Sequence, residues 1–382
     1  MQYVPYECLN KDVSRLGFGC MRLPTIKQGE ENVIDREKAI SMIRYGIDSG
    51  INYVDTAFGY HRGDSEVLVG EALKNGYREK VTLTTKLPPW NVNEPGDLDK
   101  VLDTQLKRLD LPYVDFYILH AMNKDVYEKL TALNFKDFYR RALRDGRIKH
   151  TGFSFHDDKE TFLKILHDYD FELAQVQFNY LDLFDQATID GVIEAGRIGT
   201  GVVVMEPLRG GALANPPAQI RKLIENNPRG WSPVEWALRY VANRPEVKVI
   251  LSGMSNMDQV QDNLRIFSQT DVIPGGLTEE DLAFTDLLRS EYKKRIPIPC
   301  TGCEYCQPCP MGVKIPALFS DYNEAYMLDN MKDFVWGYEG KIKKEQDASR
   351  CVQCKKCESV CPQHIQITSL LGQLQKAYEE NK

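Results

Sequence analysis

From residue 14 to about residue 270 the chain alternates short β-rich runs with amphipathic helical stretches. This alternation constrains its fold more than any other feature. The runs are 15-RLGFGCMRL, 51-INYVDTA, 81-VTLTTKL, 114-VDFYILH, 148-IKHTGFSF, 173-LAQVQFNY, 201-GVVVMEPL and 247-VKVILSGMS. Between them lie helical patterns such as 37-EKAISMIRYGIDSG, 65-SEVLVGEALKNG, 97-DLDKVLDTQLKRLD, 187-ATIDGVIEAGRIG and 233-PVEWALRYVANRP. Strands separated by helices pair in parallel, and eight such units close into a (β/α)8 TIM barrel. An open doubly wound sheet is the alternative. Its Gly-rich GxGxxG turn is missing, because 17-GFG-19 runs straight into Cys-Met-Arg-Leu-Pro. A barrel is expected, its floor closed by a hairpin around 9-LNKD.

The 382 residues exceed a single barrel of roughly 250, which leaves room for a smaller second unit. A break is expected at 267-FSQTDVIPGGLTEED, where Pro-Gly-Gly interrupts the pattern and Thr278 with Asp281 forms a capping box for the next helix. The expected division is a barrel over 1–270, a linker and helix over 271–299, and a cysteine-rich domain over 300–382. A net charge of −7 favours neither nucleic acid nor an acidic membrane surface. No apolar run reaches the roughly 18 residues of a membrane span. The opening MQYVPYECLN lacks the basic and apolar segments of a secretion signal. A cytoplasmic protein is expected.

In a barrel of this kind, polar residues at the C-terminal ends of the strands face the catalytic mouth. Asp55, Lys86 and His120 end strands two, three and four, and Tyr60 lies in the loop leaving strand two. Singly, each has an ordinary role as a cap, a solvated charge, a core imidazole or a packed ring. Together they suit one chemistry. A tyrosine is a weak acid with a pKa of about 10, and a neighbouring ammonium favours its phenolate. Asp55 would hold Lys86 charged and in place. His120 would orient a carbonyl oxygen beside the Tyr60 hydroxyl and stabilise the developing alkoxide.

The stretches 51-INYVDTAFGY, SEVLVGEAL, 84-TTK, 117-YILH, 152-GFS, 175-QVQFNY and 252-SGMSNMDQVQDNL resemble the aldo-keto reductases, in order, over about residues 12–268. The resemblance implies a nicotinamide dinucleotide, NADP or NAD, extended across the mouth. It also implies Asp55, Tyr60, Lys86 and His120 as the catalytic tetrad, with Tyr60 the general acid. Ser255, Asn256, Gln259, Asp262 and Asn263 correspond to contacts on the adenosine side, where strand eight meets a helix N-terminus suited to phosphate. An ordinary Ser/Asn helix cap uses the same N–H groups. Gln259 stands where many NADP-preferring members carry a basic residue. Ser154, Gln177 and Met205 are expected at the nicotinamide, with Asp55 beside it. Phe155 replaces the Asn of the common Ser-Asn pair, and Met205 replaces an aromatic platform. Gly19, Met21 and Arg22 after strand one, and Pro207, Leu208 and Gly210 in 207-PLRGG-211, are expected along the rest of the cofactor.

The remaining chemistry is concentrated in cysteine. Eight of ten cysteines fall in two boxes, 300-CTGCEYCQPCP and 351-CVQCKKCESVCP. Such tight bunching points to metal in a reducing compartment rather than to disulfides. The second box has the C-x2-C-x2-C-x3-C-P spacing of bacterial ferredoxins, in which the fourth cysteine ligates the other cluster. The first box is one residue shorter. Two [4Fe–4S] clusters are expected, one on Cys300, Cys303, Cys306 and Cys361, the other on Cys351, Cys354, Cys357 and Cys309. Zinc is the competing reading, although it rarely needs a third cysteine at the same spacing. The box tails, 309-CPMGVKIPALF and 361-CPQHIQITSLL, repeat one pattern of cysteine turn and helix. With 316-PALFSDYNEAYMLDNMKDF helical, the module should be a helical ferredoxin-like one. It resembles the domain of an aldo-keto reductase branch with a C-terminal ferredoxin-type unit.

Three functions fit this sequence. One is an NAD(P)H-dependent carbonyl reductase, or alcohol dehydrogenase in reverse, whose clusters brace or sense. Another is an enzyme exchanging electrons with a ferredoxin or flavoprotein. The third is a nicotinamide-binding redox sensor with little turnover. A nicotinamide gives two electrons as hydride and a cluster passes one, so the second needs an electron-splitting step. The segments 121-AMNKDVYEKLTALNF and 208-LRGGALANPP, expected among the specificity loops, point to no particular substrate.

Overall fold

The structure, a computed structural model, describes residues 1–29 and 31–382. The chain divides into two compact units, Met1–Leu213 with Val234–Leu282, and Ala214–Pro233 with Ala283–Lys382. This division differs from a cut at residue 270, because Ala214–Pro233 groups with the C-terminal unit and the break near 270 stays with the barrel.

The strands in chain order are β1 Tyr3–Tyr6, β2 Lys11–Ser14, β3 Leu16–Gly19, β4 Thr25–Gln28, β5 Glu31–Ile34, β6 Tyr53–Asp55, β7 Thr82–Leu87, β8 Val114–Met122, β9 Ile148–Phe155, β10 Leu173–Gln177, β11 Gly201–Met205 and β12 Val247–Ser252. Eight of them, β3 and β6 through β12, pair in parallel as a closed barrel. These are the eight runs read from the sequence. β1 and β2 form the expected antiparallel hairpin. Its Tyr6 stacks on Phe116 at 5.5 Å and joins Tyr53, Ile118, Leu173, Val203 and Val249 in an apolar floor. A Cβ at Gly201 would stand 2.4 Å from the Tyr6 ring, so glycine there is what admits the plug.

The helices of the first unit are α1 Arg36–Asp48, α2 Asp64–Ala72, α3 Pro95–Leu109, α4 Lys124–Ala132, α5 Phe135–Asp145, α6 Lys159–Asp168 and α7 Thr188–Arg197. After α8 Ala218–Glu225, which groups with the second unit, follow α9 Pro233–Ala242 and α10 Met257–Phe267. Local chemistry starts them. Asp35 accepts from the Lys38 N–H at α1, Glu94 and Asp97 form a capping box with Pro95 at α3, and Asn256 caps α10. The stretch expected as a specificity loop, 121–135, is instead largely helical. Asn123 caps α4 at 2.9 Å, and α5 buries Phe135, Phe138, Tyr139 and Ala142 on one face. The hairpin of β4 and β5 was not foreseen, because its burial is too slight to impose a period-2 pattern.

α11 Glu279–Lys294 begins with the expected box, the Thr278 hydroxyl accepting from the Asp281 N–H at 3.2 Å. The second unit continues with α12 Ile315–Leu328, α13 Met331–Ile342, α14 Lys356–Ser359 and α15 Ile367–Asn381. The box-tail repeat is structural, since α12 starts at Ile315 and α15 at Ile367, at equal distances from Cys309 and Cys361. The matching positions Val313 and Ile365, and Phe319 and Leu371, are buried in one core against which six of the eight box cysteines pack. No helix among the described residues is long and apolar enough to cross a membrane.

Candidate active site and cysteine centres

The strand ends bring three of the four tetrad candidates into direct contact. Lys86, on β7, donates from Nζ to Asp55 Oδ1 on β6 at 2.6 Å, to the Thr56 carbonyl at 2.8 Å and to Tyr60 Oη at 3.2 Å. The ammonium also lies 4.8 Å from the centre of the Tyr60 ring. Both Asp55 and Lys86 are buried. Burial alone would lower the Lys86 pKa, but Asp55 outweighs it and holds the ammonium above its ordinary value, while burial in turn raises the Asp55 carboxyl. Burial raises the Tyr60 phenol above its ordinary value and outweighs the downward pull of Lys86. The expected net lowering by the ammonium is therefore overturned: desolvation wins, and Tyr60 stands protonated at neutral pH.

His120, on β8, completes the group. Its ring meets Tyr60 edge-on at 6.0 Å, and Trp90 tilts over it at 5.2 Å. Burial, with Lys86 beside it, depresses the imidazole to about 3, so it is neutral. Its Nδ1 is buried with no hydrogen-bond partner among the described residues.

Packing behind the strands holds these side chains in place. Buried Gln105 donates to the Lys86 carbonyl at 3.0 Å and to Glu66 at 2.6 Å, and Glu66 also accepts from Thr85 at 2.7 Å. Arg108 ties Glu66 at 3.2 Å to the Phe58 carbonyl at 3.1 Å, steadying the turn that carries Tyr60. That turn is tense. His61 and Arg62, the next two residues, have φ of 48° and 59°.

The expected cofactor residues fall at the same mouth but in different states of engagement. The Ser154 hydroxyl accepts from the Ala121 N–H at 2.8 Å and so fixes the backbone next to His120. Gln177 donates to Asp182 at 2.9 Å and accepts from Gln186 at 2.8 Å. Asp182 in turn accepts from Arg209 at 2.9 Å and Asn179 at 2.9 Å. Met205 ends β11 half-buried. Phe155 is buried against Phe162 at 5.1 Å, so its replacement of Asn belongs to the core. Arg22 is exposed, makes no hydrogen bond or ion pair among the described residues, and lies against the backbone of Gly210 and Gly253. Gly19 ends β3, Met21 is 60% exposed, and Pro207 and Leu208 lead into a turn with Gly210 at φ 67°.

At α10, Gln259 accepts from both the Ser255 N–H (2.8 Å) and its hydroxyl (3.2 Å), while Asn256 caps the helix. Asn263 donates to Ser252 at 2.8 Å and Asp262 pairs with Arg265 at 3.0 Å. The sequence reading missed Trp90 and the Asp182–Arg209–Asn179 cluster. Trp90 had a signal, an aromatic directly after 86-KLPP. The cluster had none, because its members sit on loops after different strands.

In the second unit, one pocket is lined by Cys300, Cys303, Cys306 and Cys361, and an adjoining one by Cys309, Cys351, Cys354 and Cys357, with Cys306 between them. Each group thus takes one thiol from the opposite box. Burial raises the Cys306 pKa, and the nearby thiols of Cys300, Cys303 and Cys361 add to it. All ten cysteines are free thiols. Two sets of four converging thiols, with three of each from one tight loop, fit the thiolate ligation of a cubane cluster.

The aldo/keto reductase family model matches residues 15–272, and a 4Fe-4S dicluster domain model matches residues 299–366. Probable aldo-keto reductase 1 of Glycine max is 33% identical over 151 residues, which are 37% of this chain and 42% of that protein. The uncharacterized oxidoreductase YqkF of Bacillus subtilis is 24% identical over 300 residues, 71% of this chain and 91% of that one. The methylglyoxal reductase YeaE of Escherichia coli is 33% identical over 140 residues, 36% of this chain and 47% of that one. The chain thus spans less than half the length of two of these relatives. Among solved structures, the holo form of aldo-keto reductase AKR11C1 from Bacillus halodurans has a TM-score of 0.63 at 26% identity, covering 75% of this chain and 96% of that one. An aldo-keto reductase from Klebsiella pneumoniae in complex with NADPH has a TM-score of 0.60 at 22% identity, covering 76% and 96%. With the family model matched over more than half its length on a closed eight-stranded barrel, this chain belongs to the aldo/keto reductase family.

Proposed function

We propose that this protein is an NAD(P)H-dependent oxidoreductase that reduces a carbonyl, or oxidises the corresponding alcohol, with Tyr60 as general acid and base. The observation that carries this reading is the buried contact of Lys86 with both Asp55 and Tyr60, at 2.6 and 3.2 Å, beside a neutral imidazole. When bound, the nicotinamide cofactor supplies hydride. Tyr60, held protonated by burial, gives its proton to the carbonyl oxygen as charge develops there. Lys86 stabilises the phenolate left behind, and Asp55 keeps the ammonium aimed. His120, neutral and with an unpartnered Nδ1, is suited to orient the substrate oxygen without a competing charge. The unpaired Arg22 suits the pyrophosphate, and Ser255 with the α10 N-terminus suits the adenosine side. The donor sets Cys300, Cys303, Cys306, Cys361 and Cys309, Cys351, Cys354, Cys357 would hold two [4Fe–4S] clusters, which supply one-electron transfer.

We infer a division of labour in which the barrel, about residues 1–270, does the carbonyl chemistry and a linker over 271–299 leads to the cluster domain over 300–382. A second reading, exchange of electrons with a ferredoxin or flavoprotein, is favoured by Cys303 and Cys354, which reach the surface.

Tyr60→Phe tests the first reading. It should lower the turnover number by roughly 10²–10⁴-fold while nucleotide affinity stays within about threefold. Undiminished turnover would remove Tyr60 from its role.

A further inference from the structure

The barrel floor, at the opposite strand ends from the mouth, carries a second group of reactive side chains. Cys8 lies in the short turn Glu7–Leu9 of the β1–β2 hairpin, His150 on β9, and Glu172 immediately before β10. One ligand atom from each (a thiol sulfur, an imidazole nitrogen and a carboxylate oxygen) lies within 4.8 Å of the others. His150 Nδ1 is 2.8 Å from Glu172 Oε1, and Glu172 Oε2 accepts from the Thr151 N–H at 3.1 Å. Tyr6 Oη donates to the Glu172 carbonyl at 3.0 Å, pinning the backbone that presents the carboxylate.

Two features make this more than a surface ion pair. The first is charge. Glu172 has no Lys or Arg partner among the described residues, and Lys248, on the same floor, pairs with Glu7 at 2.8 Å instead. The Cys8 thiol and the Glu172 carboxylate thus converge within 4.8 Å with no fixed cation between them among the described residues. The second is the donor set. Thiolate, imidazole and carboxylate are the three ligand types that zinc accepts, at about 2.0–2.3 Å each. Ligands on one tetrahedral ion stand about 3–4 Å apart, so small side-chain rotations close the present spacing. The thiolate disfavours magnesium and calcium, which take oxygen ligands. The three residues are partly exposed, which gives an ion access.

We propose that Cys8, His150 and Glu172 form a binding site for a zinc-like divalent cation that clamps the N-terminal hairpin to the floor of the barrel. Binding takes the proton from Cys8 and leaves the fourth position to water. The site joins residues far apart in sequence, so its occupancy stabilises the fold rather than the chemistry at the mouth.

The test uses the anaerobically reconstituted holoprotein with its cysteine boxes filled. About one equivalent of Zn²⁺ should slow alkylation of the Cys8 peptide by iodoacetamide at least tenfold, as read by mass spectrometry, and EDTA should restore it. Zinc content should fall to background in Cys8→Ser and in Glu172→Gln while iron content stays unchanged. A Cys8 alkylation rate indifferent to Zn²⁺ overturns the proposal, and so does equal zinc content in wild type and both variants. The alkylation arm uses the wild-type chain, so a variant that fails to fold does not spare the proposal.

Discussion

At His120 a single residue's environment changes its chemistry near neutral pH. A free imidazole titrates near 6.5, but here burial and Lys86 bring it to about 3. The unfolded chain takes up this proton near pH 6.5 and the folded one only near 3. Between those values the unfolded state binds more protons, so stability falls as pH falls. Two outcomes follow. The His120 ring signals should show no titration between pH 8 and 5 by NMR, and a midpoint near 6.5 would contradict the buried assignment. His120→Asn should lose less stability than wild type between pH 7 and 5 in denaturant unfolding. The same desolvation explains Tyr60. The identity of its cationic neighbour was legible in 84-TTK, but the balance between that cation and burial depended on how the barrel closes over both. Ser154 is similar, since its hydroxyl was legible as a site residue, whereas its bond to the Ala121 N–H was not.

Between elements, close approach of backbones is what sets the mouth's geometry. α2 packs against the end of α3 so tightly that a Cβ at Gly70 would stand 2.2 Å from the Leu109 carbonyl oxygen. Backbone cannot move aside as a side chain can. Gly70→Ala should therefore cost about 1–3 kcal/mol in urea unfolding. It should also weaken turnover, because α2 carries Glu66, the partner of Gln105 and Thr85 behind Lys86. A fully stable, fully active Gly70→Ala would show that the helices can separate at no cost. The elements themselves were largely legible. Eight barrel strands, the floor hairpin and the α11 capping box follow from period, turn residues and caps. α4 falls in the stretch expected as a specificity loop, and α5 lies almost wholly beyond it, although Asn123 and the Phe135, Phe138, Tyr139, Ala142 spacing signal helices. The β4–β5 hairpin is mostly exposed, so burial wrote no alternation into its sequence.

At the scale of the molecule, the second unit gathers thiols from two boxes and supports each box by a homologous helix. Cys361→Ser, although outside the first box, should disrupt the group of Cys300, Cys303 and Cys306. Iron and acid-labile sulfide should fall by about half. Loss from the second box alone, detected by alkylation of the freed thiols, would refute the exchange of ligands. Anaerobic addition of NADPH or NADH, followed by EPR, tests whether hydride chemistry and clusters communicate. Reduced clusters would support electron exchange through a splitting step, and clusters reduced only by a strong chemical reductant would leave the barrel a self-sufficient reductase.

By itself, the order of residues determined the barrel, the placing of Asp55, Lys86 and His120 at strand ends, and the two cysteine boxes. Each is written in local spacing: a period of strand and helix, a polar residue at a strand end, cysteines at intervals of three. Only tertiary structure decided the division of the chain, the partners of Gln177 and Ser154, the core role of Phe155 and the meeting of Cys8 with His150 and Glu172. Those depend on distances between residues far apart in sequence and on how much water is excluded between them. Neither quantity is encoded in any short stretch, because both arise when separate elements pack together.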